Sequence, residues 1–399
     1  MTDPTRDPYP TYAAMRSACP VQAVPTGSDG EAGSDGKARA DRESGYLVLG
    51  YEEARQALAD PRLSKDTAAF FAGRNSRRRM HPAVAQTMVA TDPPRHTSLR
   101  KLVTRTFTTG AVTRLRPFIA RTTDALLDRW PVGGQADLVA DLAVPLPVIV
   151  ICELLGVPEP DRPDVQRWSA ELFAAGEPDL IDAASHSLAA YVTGLVAAKR
   201  ARPGNSLLDR LIAARDGQDH LSEHELVSLA VLLLVAGHET TTNFLGNAVL
   251  ALLQHPSALE RLRTDPERIP AALDELLRYD PPVSTATFRF ATRALTLGGT
   301  EIPADVPVLV NLGAANRDPK RFPAPDRLDL DREATGHLAF GHGIHRCVGA
   351  PLAKAEADIA LRAILSRFPR LGLATPVDRL EWRRTRLMRG LVSLPVRTG

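Results

Sequence analysis

The stretch Phe340–Glu356, FGHGIHRCVGAPLAKAE, places Cys347 in a loop rich in glycine, histidine and arginine. Its glycines allow the backbone to approach a flat ligand closely. The sequence predicts a helix from about Val348, with Pro351 in its first turn. The free N–H groups and positive dipole end of that helix would then favour an anionic sulfur at Cys347.

Three interpretations of this cysteine remain open on the residues alone. The first is a buried structural cysteine in an ordinary loop. The second is a metal site built from His337, His342, His345 and Cys347, although structural zinc sites usually contain more sulfur. The third is a single axial thiolate to haem iron, for which one cysteine is sufficient because the porphyrin supplies the other ligands.

Composition narrows the class of protein. The chain has 399 residues, 44% of them hydrophobic, and a formal net charge of +2, which gives no overall signal for nucleic acid. Its three cysteines are scattered and predict no disulfide framework, as expected for a reducing cytoplasm. The polar, proline-broken N-terminus resembles neither a signal peptide nor a membrane anchor, so we expect a protein that does not bind a membrane.

The pattern along the chain predicts a mainly α-helical protein with a smaller β-rich part. The helix-rich body covers about 51–275, and β-rich portions lie near 20–50, 285–312 and 380–397. No strong linker divides the chain, so residues 1–399 are expected to form a single domain. Finer predictions are a helix at 9–17, a strand at 46–51, a flexible loop at 27–44 and a loop with a short helix at 66–92.

The clearest single element is a long helix over 222–254. Ser222 and Glu225 form a capping box before its apolar run, and Pro256 ends it. Its middle, AGHETTTN at 236–243, is polar where burial should be greatest. A charged residue inside a buried helix usually has a partner or a task.

These motifs together resemble the cytochrome P450 family. The pattern Phe340-Gly341-x-Gly343-x-His345-x-Cys347-x-Gly349 is similar to the family's haem-binding loop. AGHETT (236–241), ELLR (275–278) and RFPAPDRLDLDR (321–332) resemble its oxygen-binding segment, its Glu-x-x-Arg pair and the loop that joins that pair. The resemblance is closest to soluble actinobacterial enzymes that tailor macrolides and other polyketides, and it implies haem between a long central helix and the cysteine loop.

The resemblance implies a set of residues around haem b. Cys347 is the axial ligand, and the family's propionate-binding positions match His96, Arg100, Arg289 and His345. The other residues implied to contact the cofactor are Ala236, Gly237, Phe340, Gly341 and Gly349. In one departure from the family, Asp305 stands at a common glycine position.

The resemblance also assigns roles away from the cofactor ligand. Thr240 and Glu239 match the oxygen-activating alcohol and its acid, and Gly237 is expected to leave room for oxygen where the helix widens. Glu275, Arg278 and Arg327 are expected to form a buried charged cluster. The residues implied to line the substrate pocket are Leu233, Val283, Thr285, Ala286, Leu387 and Met388, with parts of 66–92 and 168–195 as a lid.

The implied activity is a monooxygenase that acts on a bulky hydrophobic substrate with O2. Its electrons would come from NAD(P)H through a ferredoxin and a ferredoxin reductase, and Lys101, Arg105 and Arg346 are expected to form a basic docking patch. A peroxide-using haem-thiolate enzyme and a non-catalytic haem carrier are the alternatives. A monomer is expected, whereas the substrate and its oxidised position are not defined by the sequence.

Overall fold

The structure is a computed structural model that describes residues 6–25, 44–74, 79–173, 177–216, 221–383, 385 and 387–399. The described residues form sixteen helices: α1 Tyr9–Ala18, α2 Tyr51–Ala59, α3 Thr67–Phe71, α4 Pro82–Ala85, α5 Arg95–Thr106, α6 Thr109–Leu127, α7 Pro145–Leu155, α8 Arg162–Glu171, α9 Pro178–Ala201, α10 Leu207–Asp216, α11 Glu223–Ala236, α12 Glu239–Gln254, α13 Pro256–Thr264, α14 Ile269–Tyr279, α15 Leu312–Asn316 and α16 Ala350–Arg367. Single turns of 3₁₀ or π-helix lie at Met88–Ala90, Val139–Ala143, Glu159–Asp161, Pro266–Arg268, Gly343–His345 and Val377–Arg379.

The strands are short and pair across long distances in the chain. They are β1 Val21–Pro25, β2 Ser44–Val48, β3 Leu63–Ser64, β4 Gln135–Asp137, β5 Phe290–Ala291, β6 Leu295–Leu297, β7 Thr300–Ile302, β8 Val308–Val310, β9 Gly372–Leu373 and β10 Pro395–Arg397. Their sheets have the orders β1-β2-β8, β4-β10-β9, β3-β5 and β6-β7. The first sheet is mixed, because β2 pairs parallel with β8 in the register Leu47 with Leu309.

Two hydrophobic clusters hold these elements together. The larger one packs α5, α6, α7, α9, α11, α12, α14 and α16 against one another, and the smaller one lies between α2 and the strands β1, β2 and β8. The mainly α-helical architecture with a smaller β-rich part is therefore confirmed. The helix predicted at 9–17 is α1, and the strand predicted at 46–51 is β2, which starts and ends slightly earlier.

The long central helix is divided in two, so the prediction of one continuous helix over 222–254 is wrong. Its start is as predicted, because the Ser222 hydroxyl accepts from the Glu225 N–H while the Glu225 carboxylate accepts from the Ser222 N–H. α11 ends at Ala236, and α12 begins at Glu239. The interruption falls at Gly237 and His238, inside the polar segment where local widening was expected.

Among the residues that the structure describes, two helical stretches have the length and hydropathy of a membrane span. They are Pro178–Ala201 and the combined stretch Glu223–Gln254, and 67% of the apolar window of the second is buried inside the protein. Such burial is typical of the core helix of a globular domain.

The less regular regions agree with the predictions where they are described. The segment 66–92 contains the short helices α3 and α4, although residues 75–78 lie outside the described part. The loop predicted at 27–44 also lies outside it, apart from Ser44. Asp305 has φ of 60°, the left-handed conformation that favours the glycine common in the family.

Candidate functional site

The loop that carries Cys347 is folded by two glycines in the left-handed region, Gly341 at φ of 71° and Gly343 at φ of 72°. A side chain at Gly343 would lie 2.9 Å from the carbonyl oxygen of Leu58, so only glycine fits there. The Cys347 N–H donates to the Phe340 carbonyl at 2.8 Å, which closes the loop on itself. The sulfur is thereby held just before the first turn of α16.

The start of α16 acts on the sulfur as its sequence implied, but it is not the largest influence. The helix begins at Ala350, two residues later than predicted, and Pro351 is in its first turn. Desolvation raises the pKa of the Cys347 thiol, while the N–H groups of Gly349 and Ala350 and the charge of Arg100 oppose that rise. The Cys347 side chain is nevertheless exposed to solvent, which weakens the effect of burial, and a cationic ligand such as iron would favour the thiolate.

Two histidines from distant segments meet beside this loop. The rings of His96, on α5, and His345 lie 4.1 Å apart between centroids. Both ring nitrogens of His96 and Nδ1 of His345 are buried without a hydrogen-bond partner among the described residues. Buried donors of this kind normally have a partner, so the pair is arranged for an acceptor supplied by a ligand.

Two arginines complete the quartet of predicted propionate-binding residues, which consists of His96, Arg100, Arg289 and His345. Arg289 is 3% exposed and donates to the Thr287 carbonyl at 3.1 Å, and burial lowers its pKa to about 10. The Arg100 guanidinium donates to the carbonyl of Arg346 in the cysteine loop. Within the described part of the chain, neither guanidinium forms an ion pair with a carboxylate.

The electrostatics of this quartet point to an anion. Burial, followed by the neighbouring cations Lys65, His96, Arg289 and Arg100, lowers the pKa of His345 to about 2. Basic groups buried this close together are costly unless an anion lies between them. The two propionates of haem fit this requirement, and Cys347 in the adjacent loop fits the axial ligand of its iron.

The helix interruption presents a hydroxyl and an acid. The Thr240 hydroxyl donates to the carbonyl of Ala236 at 3.2 Å across the break, and both residues are at least partly exposed. Glu239, by contrast, is 5% exposed. The two predicted members of the proton relay are therefore adjacent in the chain but differ in their access to solvent.

The acid is held by a partner that the sequence did not reveal. Arg383, in the segment before β10, donates to Glu239 Oε2 at 3.1 Å, and His238 Nε2 lies 3.6 Å from Oε1. Burial raises the pKa of Glu239, but His238 and Arg383 outweigh it, so the net direction is downward. Glu239 is consequently an oriented, ionised carboxylate at neutral pH.

The structure adds a packing reason for glycine at position 237, and its expected role in leaving room for oxygen stays a prediction. A side chain there would lie 2.6 Å from Cδ1 of Ile151 on α7 and 2.6 Å from the Leu233 carbonyl oxygen. The glycine thus makes room for close packing of α7 against the helix break.

The charged cluster under the site is present with one change of membership. Arg278 Nε donates to Glu275 Oε2 at 2.6 Å, and both side chains are at most 1% exposed. The third member is Arg332, whose Nε lies 3.2 Å from Glu275 Oε1. The prediction of Arg327 is wrong, because its side chain is 74% exposed and only its carbonyl accepts from Arg278.

The predicted pocket residues come from two segments that the fold brings together. Val283 forms an antiparallel bridge with Met388, and the Thr285 N–H donates to the Leu387 carbonyl at 3.3 Å. Ala286 is 8% exposed, and its N–H donates to Val310 in β8. The 283–286 and 387–388 segments therefore form one wall, whereas Leu233 is buried in the main core cluster.

The alternative of a zinc site finds no support in the described residues, where no group of three or more His, Cys, Asp or Glu side chains is placed to hold a metal ion. His337 instead contacts Asp274 at 3.0 Å between Nε2 and Oδ1. Cys347 is thus left as a lone sulfur ligand.

A lone cysteine beside a cluster of buried basic groups is the arrangement expected of a haem-thiolate protein. A sequence profile described as cytochrome P450 matches residues 188–382. The chain is 45% identical to cytochrome P450 107B1 of Saccharopolyspora erythraea, over 99% of this chain and 96% of that protein. The 6-deoxyerythronolide B hydroxylase of the same organism is 42% identical, over 98% of this chain and 96% of that protein.

A solved structure agrees with these relatives. The tirandamycin C-bound monooxygenase TamI matches with a TM-score of 0.89 at 42% identity, covering 100% of this chain and 99% of that one. The chain belongs to the cytochrome P450 family. It is a monooxygenase with haem b as its cofactor, as the sequence motifs implied.

Two side chains of the site were missed by reasoning from sequence. Arg332 follows Arg327 in the same irregular loop, and no spacing rule distinguishes them. Arg383 is 144 residues from Glu239, and nothing local to either residue indicates that they meet. An acid inside a buried helix signalled only that some partner exists.

Proposed function

We propose that this monooxygenase inserts one oxygen atom from O2 into a bulky hydrophobic substrate of the macrolide or polyketide type. The mainly apolar wall formed by 283–286 and 387–388 supports a large apolar substrate, and the relative that hydroxylates 6-deoxyerythronolide B supports the class. The observation that carries the oxygenase proposal is the hydroxyl of Thr240 next to the oriented acid Glu239 at the helix break.

Each side chain of the site has a separate role in this proposal. Bound haem supplies the iron chemistry that activates oxygen. Cys347 binds that iron through its sulfur. The Thr240 hydroxyl holds a proton at Oγ1 and passes it inward, and the Glu239 carboxylate carries the proton that replaces it. Arg383 holds Glu239 in place through its bond to Oε2.

We further propose that the electrons come from NAD(P)H through a ferredoxin reductase and an acidic ferredoxin. The exposed Lys101, Arg105 and Arg346 and the 52% exposed Ile344, which lies in the cysteine loop, support a docking surface there. In the same proposal residues 1–399 act as a single domain, a monomer in the cytoplasm.

Carbon monoxide binding tests the thiolate assignment. The reduced protein with carbon monoxide should show a red-shifted Soret band, and Cys347→Ala should lose it. A Soret band at the ordinary position in the folded wild-type protein would refute the ligand. This measurement depends on neither substrate nor redox partner.

Turnover tests the rest of the proposal. With ferredoxin, reductase and NADPH, a panel of macrolactones should give hydroxylated products that carry one atom from labelled O2. Turnover with hydrogen peroxide that equals or exceeds the NADPH-driven rate would favour the peroxide-using alternative. Neither kind of turnover with any member of the panel would favour the carrier.

A further inference from the structure

A further basic residue lies beside the predicted quartet and was not expected from the sequence. Lys65 is 2% exposed, one of the largest fully buried side chains of the protein. Its Nζ donates to the Thr287 hydroxyl, and among the described residues no carboxylate oxygen lies within 4.0 Å of it. A buried ammonium without a carboxylate is costly unless a ligand supplies the anion.

The strand pairing explains why this lysine is where it is. β3 and β5 run antiparallel with Leu63 opposite Ala291 and Ser64 opposite Phe290. Continuing that register puts Lys65 opposite Arg289. Like charges opposite each other on paired strands destabilise a sheet. The arrangement is therefore a cost to the protein alone, and it needs a negative group between the two cations.

The one carboxylate that acts on Lys65 within the described part of the chain is already occupied. Asp92 is the acid whose charge raises the pKa of Lys65, while burial and then Arg289 lower it, with a net direction well downward. The Asp92 Oδ1 accepts from the Lys65 backbone N–H at 3.1 Å, and Oδ2 accepts from the Ser64 hydroxyl. Asp92 thus fixes the backbone at this point and leaves the ammonium to another anion.

A charge count gives the size of that anion. Lys65 and Arg289 are both cationic when ionised, and the one carboxylate that acts on each of them is Asp92. Two positive charges against one negative charge leave a surplus of one. A single haem propionate carries one negative charge and would balance it.

We propose that Lys65 is a haem-binding residue, whose ammonium turns from Thr287 to a haem propionate and clamps it together with Arg289. The cofactor of the family is the ligand, so the proposal concerns a contact of this chain with it and not the identity of the reaction. It deepens the site described above and depends on no assumption about substrate or redox partner.

Haem retention is the direct test. Transfer of haem from the purified holoenzyme to excess apomyoglobin should be roughly ten- to a hundredfold faster for Lys65→Met than for wild type, the effect of losing one charge-assisted hydrogen bond. Lys65→Arg, which keeps the charge, should recover most of the retention. Lys320→Met removes an exposed lysine outside this cluster and should leave the rate unchanged.

Two further readouts separate cofactor binding from a structural role. The thermal midpoint of Lys65→Met should recover towards that of wild type as free haem is added, because the ligand stabilises only the folded chain. Its haem reduction potential should fall, since a positive charge that stabilises the electron-rich form has been removed.

The contrary outcomes are equally clear. A transfer rate for Lys65→Met equal to that of wild type would overturn the proposal. So would a lowered thermal midpoint that added haem leaves unchanged, because that result is expected of a residue that only supports the fold. If Lys65→Met gives no folded protein, Lys65→Gln is measured by the same haem transfer, and an unchanged rate would overturn the proposal.

Discussion

Replacement of Arg332 by alanine tests which arginine completes the buried charged cluster. The Arg332 side chain is 10% exposed, and its Nε lies 3.2 Å from Glu275 Oε1. Its other nitrogens donate to the carbonyls of Pro323 at 2.6 Å, Ala324 at 3.1 Å and Arg327 at 3.4 Å. The substitution therefore removes the charged contact between the 323–332 loop and α14, together with three bonds inside that loop.

The expected loss of stability follows from what remains. Arg278 still pairs with Glu275 through two bonds, so the acid is not left uncompensated. Loss of one hydrogen bond between charged groups, with partial exposure of the loop, costs about 3 kcal/mol. A chain of 399 residues has an unfolding entropy of about 0.8 kcal/mol per kelvin, so the midpoint should fall by about 4 °C.

The assay is thermal unfolding followed by far-ultraviolet circular dichroism, on holoproteins of matched haem content. Arg327→Ala is the matched control, because its side chain is 74% exposed and should change stability by less than about 0.5 kcal/mol. A fall in midpoint for Arg327→Ala as large as that for Arg332→Ala would show that Arg332 is not the arginine that completes the cluster.

Three other predictions concern catalysis and electron supply. Thr240→Ala should lower the product formed per NADPH oxidised and raise peroxide release, whereas Thr240→Ser should stay coupled; unchanged coupling in Thr240→Ala would leave the residue a packing role. Arg383→Gln removes one cause of the lowered pKa of Glu239, so that pKa rises and the acid limb of the pH–turnover profile should move to higher pH. A superimposable profile would exclude this carboxylate as the limiting group. Charge reversal of Lys101 and Arg346 should slow reduction by ferredoxin at low salt and have less effect at high salt, since salt screens exposed charges; an equal effect at both would argue against steering.

What the sequence could predict depended on whether the chemistry was local. The cysteine loop, the glycines that fold it and the capping box at Ser222 are each defined within a few residues, and the structure has them as expected. The Glu275–Arg278 pair spans one helical turn, so it could also be predicted from the spacing of the two residues.

The features that the sequence could not predict are set by tertiary packing. The choice between Arg327 and Arg332 depends on how an irregular loop folds over α14. The close approach of Ile151, on another helix, to Gly237 at the helix break is also a long-range contact. Lys65 is locally an ordinary polar residue beside a turn, and only the pairing of β3 with β5 buries it opposite Arg289.

The sheet that contains β10 cannot form until the end of the chain has been synthesised. β10 is the middle strand between β4 and β9, and it pairs Val396 with Ala136. A ribosome adds about 5–20 residues per second, so β4 waits on the order of ten to fifty seconds after its own synthesis for that partner. Throughout this interval its edge is open to strands of other nascent chains. We therefore expect the yield of active enzyme from a cell to respond to growth temperature and chaperone supply during translation, separately from the stability of the finished protein.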